Sequence, residues 1–179
     1  MPHLNIEIKA RCLDPQRIRD ILHARNAEFR GVDRQIDTYF NTVQGRLKLR
    51  EGRIENNLIY YEREDQAGPK PSHVSLFPLP PSSPLKTLLT AALGVLVVVE
   101  KQREIYFLDN VKFHIDSVPG LGTFVEIEAL DTEGALHEEK LLAQCQTFLR
   151  LFRIAPHELI AVSYSDLLLS QALKASVST

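Results

Sequence analysis

The chain has 179 residues, 44% hydrophobic and 25% charged, with a formal net charge of -2. That length supports one domain with a good core, and the near-neutral balance gives no basic footprint for nucleic acid. Two cysteines without CxxC spacing, Cys12 and Cys145, argue against a disulfide framework or a zinc site and fit a reducing cytoplasm. The longest apolar run, Leu88 to Val99, is broken by Thr90 and Gly94 and is too short to span a bilayer. No charged-then-apolar secretory segment opens the sequence.

Leu4 to Cys12 alternates with period 2, the signature of a strand with two different faces. Leu4, Ile6, Ile8 and Ala10 face one way, and Asn5, Glu7, Lys9 and Arg11 the other. Asp14-Pro15 starts a helix, as N-cap and N1 proline. Ile18, Ile21, Leu22 and Phe29 supply its buried stripe, and it ends near Gly31. His23 lies beside that stripe as a packing or surface residue. Gln35 to Asn41 is a strand with Asp37 and Tyr39 on one side. Arg46 to Glu51 follows, with Lys48 and Arg50 opposite Leu47 and Leu49.

A polar turn over 51–57 leads to the strand Leu58–Glu64, where Ile59, Tyr61 and Arg63 share a face. Ser72 to Leu79 is a shorter strand in a Pro/Ser-rich loop. Ser83-Pro84 opens a helix carrying Leu85, Leu88, Leu89, Ala92 and Leu93, and Gly94 closes it.

Val99 to Ala129 reads as three strands joined by two turns. Lys101 and Arg103 share one face of the first, and Asp109-Asn110 makes a two-residue hairpin. Lys112, His114 and Asp116 then oppose Val111, Phe113 and Ile115. After Pro119-Gly120-Leu121-Gly122, Glu126 and Glu128 oppose Val125, Ile127 and Ala129. Leu141, Cys145, Phe148, Leu149 and Phe152 form a third amphipathic helix. A short helix from Ser163 ends the domain, spanning 1–172, and 173–179 is expected as a flexible tail.

The charged face of such a sheet can lie open to water, or the sheet can close into a barrel whose polar interior the helices wrap from outside. The candidate lining is Glu7, Lys9, Arg11, Lys48, Arg50, Arg63, Lys101, Arg103, Lys112, Asp116, Glu126 and Glu128. So many charges share an interior only if ligand, metal and water balance them. The bases suggest a polyphosphate, and the acids suggest Mg²⁺ or Mn²⁺ as its companion.

These residues resemble the CYTH superfamily of triphosphate tunnel enzymes, which includes class IV adenylate cyclases and thiamine triphosphatases. The family's ExExK strand is matched by Asn5-Ile6-Glu7-Ile8-Lys9, and its LRxR strand by Leu47-Lys48-Leu49-Arg50. Its KxR pair is similar to Lys101 and Arg103, and its LGxFxEIE strand to Leu121 through Glu128. Four motifs in order, over nearly the whole chain, carry the resemblance.

The resemblance implies an α+β fold, a closed eight-stranded antiparallel tunnel with helices packed outside. It implies triphosphate binding through Lys9, Lys48, Arg50, Arg63, Lys101 and Arg103. Glu7, Glu126 and Glu128 would hold Mg²⁺ or Mn²⁺, with Glu7 and Lys9 as catalytic candidates. Two positions depart from the pattern: Asn5 replaces the first glutamate, and Glu62-Arg63 stands where relatives place a lysine. One missing carboxylate should loosen a second ion first and favour Mn²⁺.

The sequence has no G-x-S-x-G elbow, no Walker A loop and no dinucleotide fingerprint. Metal-assisted phosphoryl or nucleotidyl transfer needs mainly positioning and charge neutralisation, which these residues supply. The expected activity is class IV-type adenylate cyclase, converting ATP to cyclic AMP and pyrophosphate. A triphosphatase, or a module that binds a phosphorylated ligand without turnover, is the alternative. The partner is then a small-molecule triphosphate, with no nucleic acid or membrane, and a homodimer is the assembly to test. Replacing Lys101 or Arg103 by alanine should weaken triphosphate binding by roughly 1.5–3 kcal/mol, with little effect on folding.

Overall fold

The computed structural model describes residues 3–131 and 136–177. Eight strands form a closed, wholly antiparallel barrel in the order β1-β5-β4-β3-β2-β6-β7-β8, with β8 returning to β1. They are β1 (His3–Arg11), β2 (Glu28–Phe40), β3 (Arg46–Glu51), β4 (Asn57–Arg63), β5 (Lys70–Pro78), β6 (Val95–Leu108), β7 (Val111–Val118) and β8 (Gly122–Leu130). Helices α1 (Pro15–Ala24), α2 (Leu85–Leu93), α3 (Glu138–Leu151) and α4 (Tyr164–Val177) lie outside.

Alternation separates the barrel's two faces. Outward, Ile6, Ile8, Val125, Ile127, Phe113 and Ile115 pack beneath Ile18 and Leu22 of α1 and Leu141, Cys145 and Phe148 of α3. Fully burying one such side chain contributes about 1.5–3 kcal/mol, so this outer layer anchors β1, β7 and β8. Direct partners across an antiparallel pair share a face. The register Lys9↔Glu126, Glu7↔Glu128 and His114↔Glu126 therefore directs all five side chains inward.

Helix α1 starts as the sequence indicates: the Asp14 carboxylate accepts a hydrogen bond from the Arg17 amide at 3.1 Å. It stops at Ala24, however, not near Gly31. Asn26 adopts a left-handed φ of 57°, and the amides of Asn26 and Ala27 return to the carbonyls of His23 and Leu22. Phe29 belongs to β2 and packs against Tyr106 with ring centroids 4.8 Å apart. β2 is consequently twice the length expected from Gln35, and β6 begins at Val95 rather than Val99.

The apolar run Leu88 to Val99 is split between α2 and β6. No residue of α2 is fully buried: Leu85 and Leu89 of its apolar stripe are half-buried, and Leu88 and Leu93 are exposed. α4 continues through Val177, into the stretch expected as a tail. Among the described residues no helix is long and apolar enough to cross a membrane.

Candidate active site: a charged tunnel

The barrel encloses a cavity of about 280 Å³. Lys9, Lys48, Arg50, Arg63, Lys101, Arg103 and Lys112 line it together with Glu7, Glu126 and Glu128, as their strand parity requires. Lys101 and Glu126 thus occupy one face of a closed sheet. Two residues of the expected lining stand elsewhere. Arg11, at the end of β1, is exposed and donates to the Leu121 carbonyl at 3.1 Å. Asp116 is fully buried behind Arg103, as its ion-pair partner rather than as cavity wall.

The cations are held by acids, among them Asp37 and Glu55, to which sequence reasoning assigns no role. Asp37 accepts from Arg50 Nε at 2.8 Å, Arg50 Nη2 at 3.0 Å, Lys48 Nζ at 3.1 Å and Lys101 Nζ at 2.6 Å. Arg103 donates to both oxygens of Asp116, at 2.7 and 2.5 Å, and to Glu126 at 2.6 Å. Glu126 also pairs with Lys9 at 2.7 Å. From α4, Tyr164 stacks 3.8 Å from Lys9 Nζ and donates its hydroxyl to Asp116 at 2.8 Å.

Glu55 closes a further network by accepting from Arg50 at 2.8 Å and from Lys112. It comes from the polar turn after β3, and period-2 reasoning has no purchase on a turn. Its position depends on Asp33, whose carboxylate accepts the backbone amides of Arg53, Ile54 and Glu55 at 2.6, 3.1 and 3.0 Å. A Cβ at Gly52 would lie 2.4 Å from the same carboxylate, so only glycine lets the turn approach. His114, by contrast, was detectable: it has the parity of Lys112 and Asp116.

These contacts set the protonation states. Burial alone would raise the Asp37 carboxyl, but Arg50, Lys101 and Lys48 outweigh it and hold it well below the usual 3.8. Glu126 behaves likewise: burial opposes, and Arg103 and Lys9 hold it well below 4.5. Glu55 is lowered against burial by Arg50 and Lys112. Burial and the charge of Arg103 push His114 below its usual 6.5, leaving it neutral.

In every case the unfolded chain binds a proton that the folded chain does not, so stability is lost as pH falls. The loss should begin modestly below pH 6.5, where unfolded His114 protonates, and steepen through 4.5 and 3.8 as unfolded glutamates and aspartates do. Urea unfolding midpoints measured from about pH 7 to pH 3 check this. A profile flat across that range would contradict it.

Among the described residues, several buried polar atoms of the cavity-lining side chains have no partner: Arg63 Nε and Nη2, Ser72 Oγ, Asn5 Oδ1 and His114 Nε2. An unsatisfied donor on a charged group is costly to bury. Arg63 spends only Nη1, on Glu7, and its side chain is 3% exposed. Two guanidinium nitrogens are therefore left unsatisfied in the wall of the cavity. One ligand atom from each of His114, Glu126 and Glu128 also falls within 4.8 Å of the others. That donor set fits a divalent cation.

A family model, the CYTH domain, matches residues 3–164. The chain belongs to the CYTH domain family. This is a family of triphosphate-acting enzymes that use divalent cations. Solved structures share the CYTH fold with this chain. The PH1012 protein of Pyrococcus horikoshii is 23% identical over 91% of this chain and 98% of its own, with a TM-score of 0.76. A candidate adenylate cyclase from Vibrio parahaemolyticus is 18% identical over 94% and 99%, with a TM-score of 0.74. A candidate adenylyl cyclase from Hippeastrum, described as having a dominant triphosphatase activity, is 16% identical over 94% and 95%, with a TM-score of 0.56. No curated protein sequence matches the chain. The tunnel described above is thus this chain's version of the CYTH barrel.

Proposed function

We propose that the tunnel binds an organic triphosphate, with ATP as the lead substrate, and cyclises it to cyclic AMP with release of pyrophosphate. The observation that carries this reading is Arg63, a buried guanidinium with two nitrogens unpartnered among the described residues, in a cavity lined by six other cations. Lys9, Lys48, Arg50, Arg63, Lys101 and Arg103 would bind the phosphate chain. An apolar strip of Ile59, Val74, Leu76 and Leu130 in the same cavity suits an organic substituent. Glu126 and Glu128 would hold Mg²⁺ or Mn²⁺, leaving Glu7, opposite Glu128, as the base. When bound, that cation supplies charge neutralisation and polarises a phosphoryl oxygen.

In this reading Arg63 turns from Glu7 to the phosphates and frees the Glu7 carboxylate. The ribose 3′-hydroxyl oxygen bonds to the α-phosphorus, and its proton passes to Glu7. The bond from that phosphorus to the bridging oxygen breaks, and Lys9 and Arg103 stabilise the departing pyrophosphate. Hydrolysis of the triphosphate is a second reading, favoured by size. At about 280 Å³ the cavity falls just below the usual small-molecule range of about 300–1,000 Å³. The buried free thiols Cys12 and Cys145 accord with a cytoplasmic setting.

Incubation with ATP and Mg²⁺ or Mn²⁺, followed by phosphorus NMR, tests the proposal. Cyclic AMP with pyrophosphate is expected. ADP with phosphate would instead support hydrolysis, and binding without turnover would identify a ligand-holding module.

A further inference from the structure

We infer that His114 is an ion-selecting ligand, forming with Glu126 and Glu128 a mixed nitrogen–oxygen site that prefers Mn²⁺ or a later first-row ion over Mg²⁺. The inference rests on reading the tunnel as metal-using, and it names the donor that decides which ion is held.

The register places His114 of β7 directly opposite Glu126 of β8. Its Nδ1 stands 3.1 Å from Glu126 Oε2 and 3.6 Å from Glu128 Oε1. Two carboxylates thus converge on one ring nitrogen. A proton there can serve Glu126, but 3.6 Å is too long for a hydrogen bond to Glu128. A cation at the shared focus engages all three.

His114 is 1% exposed. A neutral imidazole has one donor and one acceptor nitrogen, so a cation on Nδ1 fixes the proton on Nε2, which has no partner among the described residues. Asn5, 8% exposed, lines the same cavity and brings it a neutral amide in place of a carboxylate. Glu7, meanwhile, is paired with Arg63, so the three-donor set stands without it. Magnesium favours an all-oxygen octahedron and gives up water reluctantly, whereas imidazole suits first-row transition ions. A nitrogen donor in a set one carboxylate short therefore shifts selectivity away from Mg²⁺.

The test uses the full chain with Mn²⁺ alone and reads electron spin echo modulation from nitrogen nuclei coupled to the bound ion. Wild type should show the modulation of a directly coordinated imidazole, and ¹⁵N-histidine labelling should shift its frequency. His114→Asp should abolish it and lower the ratio of Mn²⁺ to Mg²⁺ affinity, measured by competition, by at least about tenfold. That is the lower end of what disturbing the supports of a metal site costs. Bound Mn²⁺ without nitrogen modulation would overturn the inference, as would an unchanged ratio in a folded His114→Asp. Should that variant not fold, the labelling of wild type decides alone. Because no turnover is read, the outcomes separate. Nitrogen coupling in a protein inert toward ATP keeps the site and removes the enzyme, and turnover with nitrogen-free Mn²⁺ does the reverse.

Discussion

Asp37→Ala is expected to cost about 3–5 kcal/mol of folding stability, the range for removing one side of a buried ion pair. Asp37 is 1% exposed and accepts from Lys48, Arg50 and Lys101 together. Deleting its carboxylate leaves three cations facing one another, with Lys101 and Arg50 buried. Urea unfolding measures the loss directly. Tripolyphosphate should restore more stability to the variant than it adds to wild type, because the anion meets charges that Asp37 no longer neutralises. A loss below about 1 kcal/mol, the scale of an exposed pair, would mean that the network does not hold the barrel.

Arg103→Ala should be comparably severe, again by about 3–5 kcal/mol. Strand parity alone assigned Lys101 and Arg103 to ligand contact with little effect on folding, since neither belongs to the apolar face. The ion pairs of Arg103 change the expected effect on folding, not the assignment to the tunnel. The Arg103 guanidinium makes three hydrogen bonds to Asp116 and Glu126, and its removal leaves buried Asp116 with the Tyr164 hydroxyl but no direct ion pair, and Glu126 with Lys9. Protonating the stranded Asp116 relieves the penalty, so the difference from wild type should narrow as the pH is lowered toward 4. A variant that melts with wild type at neutral pH would contradict the assignment.

The barrel was legible because its two faces differ chemically along nearly every strand. Asn5 through Lys9 and Val125 through Ala129 each alternate charge or amide with aliphatic side chains, and these two strands pair as their pattern requires. Parity identifies which side chains enter the tunnel, and it did so for Lys9, Arg50, Lys101, Arg103, Glu126 and Glu128. It is silent on who pairs with whom. That Asp37 gathers three cations depends on β2 lying between β3 and β6, a neighbourhood set by closure of the sheet.

The end of α1 was misread for a local reason. Phe29 follows Leu22 by seven residues and so continues a helical stripe, while the left-handed turn at Asn26 leaves no mark on apolar spacing. Glu55 was missed because three backbone amides gathered on Asp33, not any periodicity, carry it to the tunnel. The apolar stripe of α2 is legible in its composition, yet Leu88 and Leu93 are exposed. A sequence shows that a stripe is apolar without showing what lies against it.

The tunnel as a triphosphate receptor is tested most directly by calorimetric titration of tripolyphosphate, with Mn²⁺ present, into wild type and Arg63→Met. One site per chain is expected in wild type, weakening as salt screens the cations. Arg63→Met should lose roughly 1.5–3 kcal/mol of binding, the range for hydrogen bonds to charged groups. Absence of binding to wild type, or equal affinity in a folded Arg63→Met, would contradict the assignment of the tunnel.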